Sequence, residues 1–264
     1  MSIISLTTDF GGLYPPAAMK AVILGINPEA QIVDVTHSIR QASIREGAFA
    51  LYSLVPYFPA KSVHIGVVDP PGVGTSRRAL ALKAGPEGEE QFFVGPDNGL
   101  MIPAARRLGN MEVYEITNRE IMLNSEISAT FHGRDIFAPV GARLSKGMPI
   151  DVVGNRVSDF VNLDFENYGV DGQFLVGEVV YTDNFGNVIT NIPEDAVLKF
   201  RTFGSQVEVN GRKVFFVQTY GFVGQGDALI LIGSHGFLEI AINKGNAALQ
   251  FGLRSGDPVS IKVL

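Results

Sequence analysis

The sequence predicts an α/β protein of two domains: an N-terminal α/β domain over 1–165 with a largely parallel or mixed sheet, and a C-terminal all-β domain over 172–264. Three observations carry this. Up to about residue 150, strand-like and helix-like runs alternate, which is the grammar of an α/β layer. After about 165 the runs become short, β-rich and separated by turn residues. Between the two, the stretch from Asn162 to Gly172 is rich in Asp, Glu, Asn and Gly and interrupts both patterns.

Taken in order, Ile3 to Thr7 reads as a strand, Ala17 to Ile26 as a helix, Gln31 to Val35 as a strand and Ile44 to Leu54 as a helix. Val63 to Val68 is a short, wholly apolar run apart from His64 and Gly66, as expected of a buried parallel strand. Strands are expected at Ala79 to Lys83 and Gln91 to Val94, and helices near Leu100 to Arg107 and Ile136 to Leu144. In the second domain the expected strands are Phe174 to Tyr181, Gln206 to Asn210, Lys213 to Gln218 and Leu229 to Ile232, with Asn210-Gly211 as a hairpin signal. No internal repeat or low-complexity segment is seen.

Composition narrows the function. The 264 residues include no cysteine and no tryptophan, which excludes disulfides, thiolate metal sites and a cysteine nucleophile. A formal net charge of −6 without any block of Lys or Arg gives no footprint for nucleic acid, whose binding requires many phosphates to be neutralised. The segment Met1 to Asp9 has no basic leader, and no apolar run is long enough to span a bilayer. A soluble, cytoplasmic protein with a small-molecule partner and no membrane role is expected.

Four polar constellations could carry chemistry: Thr7-Thr8-Asp9-Phe10-Gly11-Gly12, the loop Asp69-Pro70-Pro71-Gly72-Val73-Gly74-Thr75-Ser76-Arg77-Arg78, Phe131-His132-Gly133-Arg134-Asp135, and Tyr181-Thr182-Asp183-Asn184-Phe185-Gly186-Asn187. Asp69 is the first catalytic candidate, because ligand sites in open α/β sheets lie just outside the carboxyl ends of the strands. Asp97-Asn98-Gly99 marks another strand-end loop. Each constellation also has an ordinary reading. The Asp69 loop lacks the Lys-Ser/Thr of a phosphate-binding loop and reads equally as a tight turn. His132 suits a helix cap as well as a catalyst, Asp135 could pair with Arg134, and Asp183 with Asn187 could satisfy local backbone. His37, His64 and His235 are scattered without metal-ligand spacing, so no metal is expected.

Together these segments resemble the S-adenosyl-L-methionine hydroxide adenosyltransferase family, relatives of enzymes that fluorinate and chlorinate the same substrate. The resemblance runs over nearly the whole chain, through Met19-Lys20, Asp34-Val35-Thr36-His37, Tyr57-Phe58-Pro59, Gly95-Pro96-Asp97-Asn98-Gly99-Leu100, Phe185-Gly186-Asn187 and Leu238-Glu239-Ile240-Ala241 as well as the loops above. It implies that the C-terminal domain is a β-barrel, that the protein is a homotrimer with sites between subunits, and that S-adenosyl-L-methionine and water give adenosine and L-methionine without a cofactor. By the same resemblance the catalytic set is Asp69, Arg77 and His132, Asp9 holds the ribose diol, and Asn98 belongs to the substrate-binding residues. Asp183 and Ser234 match groups around the methionine ammonium and carboxylate, Asn187 and Ala247 match adenine contacts, and Tyr220 matches an aromatic on the purine.

Several positions depart from the family pattern. The additional proline in the Asp69 loop shifts the arginine by one position, leaving Arg77 and Arg78 as alternatives. Ala42 stands in place of an aromatic lid residue, His235 in place of an arginine of the halogenating relatives, and Tyr14-Pro15-Pro16 differs from the usual loop. The rival readings are a chloride adenosyltransferase, against which the Asp69 carboxylate argues because it would repel a halide, and a non-catalytic sensor of adenosyl ligands.

Overall fold

The computed structural model describes residues 2–12, 14–70, 72, 75–124 and 126–263, so Pro71, Val73 and Gly74 of the Asp69 loop lie outside the described residues. The chain divides into two compact units, Met1–Leu163 and Asp164–Leu264.

In the first unit, β1 (Ile3–Thr8), β2 (Gln31–Thr36), β3 (Val63–Val67), β4 (Ala79–Ala84), β5 (Gln91–Pro96) and β6 (Glu112–Glu115) form one sheet in the order β2-β1-β3-β5-β4-β6. β2, β1, β3 and β5 are mutually parallel, whereas β4 is antiparallel to β5 and β6. The sheet is mixed because the link from β4 to β5 is too short for a helical crossover, which leaves a hairpin as the only pairing. The edge strand β6 has no counterpart among the expected strands.

Helices cover both faces. α1 (Tyr14–Ile26) and α4 (Ala138–Ser145) pack together on the side of Ile4, Leu6, Val63 and Ile65, with Met19 and Ile23 buried one helical turn apart. α4 lies so close that a Cβ on Gly141 would stand 2.6 Å from Cδ1 of Ile65. α2 (Ile44–Leu54) and α3 (Ile102–Leu108) pair on the opposite side, where Leu51 and Leu100 reach Gly66 of β3. There His64 is sandwiched: its ring contacts Phe58 and Phe93, Ser5 Oγ lies 2.7 Å from Nδ1, and Gln91 Oε1 lies 2.7 Å from Nε2. The Gln91 amide nitrogen donates to the Val55 and Phe58 carbonyls, so Nε2 of His64 carries the proton and Nδ1 accepts from Ser5.

Two helix starts differ from the sequence reading. α1 begins at Tyr14 rather than Ala17, because Pro15 and Pro16 fit a first turn whose amides have no intrahelical partner. The segment Gly133–Phe137 is a π-helical turn, and α4 starts only at Ala138.

In the second unit, β7 (Gly169–Asp171), β8 (Phe174–Thr182), β9 (Val188–Pro193), β10 (Gln206–Val209), β11 (Arg212–Phe216), β12 (Ala228–Ile232), β13 (Phe237–Ile242) and β14 (Pro258–Val263) are joined by α5 (Glu194–Phe200) and α6 (Ala247–Phe251) among other links. Strands β8 to β14 close into a seven-stranded barrel, because β14 pairs with both β10 and β8, while β7 extends the edge of β8. Its core includes Leu175, Val179, Val214, Phe216, Ile230, Leu238, Ile240 and Ile261. Strands β11 and β12 run parallel, so the chain must cross over between them, and that crossover carries a 3-10 turn at Tyr220–Phe222. Among the described residues, no helix is long and apolar enough to cross a membrane.

Candidate active site

Neighbouring parallel strands β1, β3 and β5 deliver three candidate side chains to one end of the first unit's sheet. Asp9 follows β1, and its amide donates to the Val67 carbonyl at the end of β3. One Asp9 carboxylate oxygen accepts the Ala42 amide at 2.9 Å, with Ala42 itself in the left-handed region at φ 67°. Asn98 follows β5; its side-chain nitrogen donates to the Val68 carbonyl at 2.8 Å and its oxygen accepts the Leu100 amide. Asp69 stands between them, as the register of β1, β3 and β5 requires.

The turn after Asp69 is built around that carboxylate. The Gly72 amide donates to the Asp69 carbonyl, and a Cβ on Gly72 would stand 1.9 Å from Asp69 Oδ2, so a side chain there would displace the carboxylate. Thr75 Oγ1 donates to the Gly72 carbonyl and accepts the Arg77 amide, which returns Arg77 over Asp69. The guanidinium then makes a two-pronged pair, Nε to Oδ1 at 3.1 Å and a terminal nitrogen to Oδ2 at 2.5 Å. That same terminal nitrogen lies 3.1 Å from His132 Nδ1. The side chains of Arg77 and Asp69 are only 8% and 11% exposed, and the guanidinium sits over the Phe137 ring.

Arginine only donates, so His132 Nδ1 accepts and the neutral ring carries its proton on Nε2. Burial and the Arg77 charge hold the His132 pKa below the ordinary histidine value, against the opposing pull of Asp69 and Asp135. His132 opens the π-helical turn without a side-chain cap, so its ring serves Arg77 instead. Arg78 turns the other way: it pairs with buried Asp97 at 2.8 Å and with Asp159, and the hydrogen bond it donates to Asp97 raises its pKa. Of the two arginines, Arg77 is the one brought to Asp69 and His132.

The second unit holds a cavity of about 650 Å³ whose wall includes Asp183, Phe185, Asn187, Tyr220, Lys244 and Asn246. Asp183 Oδ1 accepts the Phe185 and Asn187 amides, which is the local backbone role, while Oδ2 accepts the Asn187 side chain at 2.9 Å. The Asn187 amide nitrogen also reaches Tyr220 Oη at 3.5 Å, and Tyr220 donates to Glu239 at 2.5 Å. Burial and Glu239 both push the Tyr220 hydroxyl pKa up, so it stays a donor. Glu239 in turn lies 3.5 Å from His235. Ser234 stands exposed in the turn after β12, and Ala247 buries its methyl in the barrel core at the start of α6.

Some residues that shape these sites were not singled out from sequence. Glu239 was visible only as part of a family motif, although a lone carboxylate in the apolar run Phe237–Ile242 is the kind of residue that signals a specific partner. Asp97 was read as a turn residue, and its salt bridge to Arg78 has no local signal. Among the described residues, no group of three or more His, Cys, Asp or Glu is arranged to hold a metal ion.

Comparison with known proteins agrees across both units. The family model described as the SAM hydroxide adenosyltransferase N-terminal domain matches residues 4–154, and that of the C-terminal domain matches residues 177–260. A protein of Salinispora tropica named (R)-S-adenosyl-L-methionine hydrolase is 40% identical over 98% of this chain and 97% of its own. One of the same name from Thermus thermophilus is 36% identical over 96% of this chain and 97% of its own. The crystal structure of an uncharacterized conserved protein from Thermotoga maritima superposes with a TM-score of 0.89 at 39% identity, covering 99% of this chain and 100% of that one. The chain therefore belongs to the SAM hydroxide adenosyltransferase family.

Proposed function

We propose that this protein hydrolyses S-adenosyl-L-methionine at C5′ to adenosine and L-methionine, by in-line attack of a water held at Asp69, Arg77 and His132. The cluster of these three side chains at one strand end is the observation that carries the reading. In the reaction the water oxygen bonds to C5′ as the C5′–S bond breaks, the bonding pair returns to sulfur, and one proton is released. The leaving group is a neutral thioether and needs no acid. The difficulty lies in the nucleophile, where orientation alone can supply roughly 7–11 kcal/mol.

The hydrogen bonds suggest how the roles divide. His132 Nδ1 is occupied by Arg77, so the neutral imidazole offers only its Nε2 proton, as a donor to the water oxygen. Asp69 is the remaining acceptor, and each of its oxygens keeps a lone pair beyond the bond from Arg77. We assign proton acceptance to Asp69, and to Arg77 the stabilisation of charge on the nucleophile. Asp9 would hold the ribose and Asn98 would line the same end. Asp183, Asn187, Tyr220, Ser234 and Ala247 would bind methionine and adenine in a homotrimer whose sites lie between copies. A cytoplasmic location and the absence of a cofactor are further parts of this proposal.

The test is to incubate purified protein with S-adenosyl-L-methionine in halide-free buffer and again with chloride, and to separate the products. Equal adenosine and methionine, unchanged by chloride, are expected; 5′-chloro-5′-deoxyadenosine would overturn hydrolysis in favour of halide transfer. Light scattering should return the mass of three chains.

A further inference from the structure

The residue that governs the approach of His132 is Asp135, three positions further along the π-helical turn. Pro139 has no amide to offer the Asp135 carbonyl, as an α-helix would require at that spacing. The Leu123 amide takes that carbonyl instead, at 2.9 Å. The Asp135 carboxylate, buried to 1% exposure, accepts the Ser128 amide at 2.8 Å and the Arg134 guanidinium at 2.6 and 3.1 Å. One residue thus grips the chain leading into His132 at two points, through its backbone and through its side chain.

The grip extends to the substrate end. Arg134 lies over the Phe131 ring at 5.3 Å, and Phe131 meets Phe10, the neighbour of Asp9, edge-on at 5.7 Å. A Cβ on Gly133 would stand 3.2 Å from both Phe131 and Met19, so the turn packs closely against both side chains. A π-helical turn costs regular hydrogen bonding, and such turns recur at functional sites. Here it sets His132 against Arg77 while Asp135 stays within electrostatic reach of the imidazole.

We infer that Asp135 is a positioning residue of the reaction: held by Arg134, it ties down Leu123 and Ser128 ahead of His132 and sets the orientation and electrostatic surroundings of His132. This rests on the hydrolase reading for its kinetic consequence only. The charged groups acting on the His132 ring are Arg77, which opposes its protonation, and Asp69 and Asp135, which favour it. Neutralising Asp135 should make His132 harder to protonate, whereas removing the Arg134 charge should leave Asp135 less compensated and make protonation easier.

The experiment titrates the His132 imidazole by NMR in wild type, Asp135→Asn and Arg134→Gln, and measures kcat and KM for S-adenosyl-L-methionine against pH in the same proteins. We expect the His132 titration and the acid limb of kcat/KM to move together, to lower pH in Asp135→Asn and to higher pH in Arg134→Gln. In Asp135→Asn, kcat should fall about tenfold with KM little changed, the signature of a misplaced group. A wild-type titration and pH profile in the folded variants would overturn the inference. If Asp135→Asn does not fold, Arg134→Gln decides by the same criterion, since its side chain is a third exposed. Absence of adenosine from the wild type would remove the hydrolase reading, while the NMR titrations would still decide the electrostatic role of Asp135.

Discussion

The two units use polar groups in different ways. In the first, an anion, a cation and an imidazole converge within 3.1 Å at the end of β3, in a spot from which most solvent is excluded. In the second, Asp183, Asn187, Tyr220 and Glu239 form a chain of hydrogen bonds beside a cavity of about 650 Å³, with exposed Phe185 on its wall. Concentrated charge suits the handling of a water proton. A wall of fixed donors and acceptors with aromatic faces suits recognition of a nucleoside. The difference implies that disturbing the charged cluster should cost mainly turnover, and disturbing the hydrogen-bonded cavity wall mainly affinity.

The largest effect is expected at Asp69. Asp69→Asn keeps the shape and removes the acceptor, and turnover should fall about 10³-fold, or roughly 4 kcal/mol, with the Kd for S-adenosyl-L-methionine within about threefold of wild type. Stopped-flow turnover with calorimetric binding checks this; a large loss of affinity with intact turnover of the bound substrate would erase the contrast between the units.

The next effect concerns stability and belongs to the first unit. His64 is fully buried and kept neutral, and burial lowers its pKa to about 4 from the usual 6.5. Between these values the unfolded chain binds a proton that the folded chain refuses. The stabilisation is therefore whole above pH 6.5, declines as the pH falls toward 4, and amounts to about 3 kcal/mol at most. Hydrogen exchange should find amides of β1, β3 and β5 losing protection over this window, and His64→Gln should flatten the dependence. An unchanged acid profile in a folded His64→Gln would assign the lability elsewhere.

Smaller effects sharpen the contrast. Tyr220→Ala should raise Kd through lost stacking by roughly 1–3 kcal/mol, with kcat changed only a few-fold; the reverse split would place chemistry in the barrel. Arg78→Gln should lower the unfolding free energy by about 1–2 kcal/mol, because it leaves buried Asp97 without its cation, and should spare kcat. Denaturant unfolding and steady-state rates on the one variant measure both, and a lost kcat with unchanged stability would exchange the roles of Arg77 and Arg78.

What was legible in the sequence was local. The apolar run of β3 and the turn residues after β1, β3 and β5 place Asp9, Asp69 and Asn98 at strand ends, and the change of pattern near residue 165 marks the second unit. The choice between Arg77 and Arg78 was not legible, because the two are adjacent in the same loop and the carboxylates that draw Arg78 away, Asp97 from the end of β5 and Asp159, are distant in sequence. Only Ile136 and Phe137 of the π-helical turn fall in the helix expected from Ile136; Pro139 hints at an irregularity there but does not distinguish a kink from a widened turn. β6 was missed because Glu112-Val113-Tyr114-Glu115 is a short edge strand with charged ends, and α5 because the second unit was read as all-β, despite acidic residues in that helix's first turn and a lysine in its last. Closure of the barrel depends on β14 meeting β8, a pairing between distant segments that no local pattern signals; the barrel itself was expected only from the family resemblance.

The most direct test of the account is a single turnover in water enriched in oxygen-18, with enzyme in excess over S-adenosyl-L-methionine. Attack by a water held at Asp69 places the heavy oxygen in the 5′-hydroxyl of adenosine on that first turnover. If Asp69 itself attacked C5′ and the resulting ester were then cleaved at its carboxyl carbon, the first adenosine would carry ordinary oxygen from the carboxylate, and that result would contradict the account.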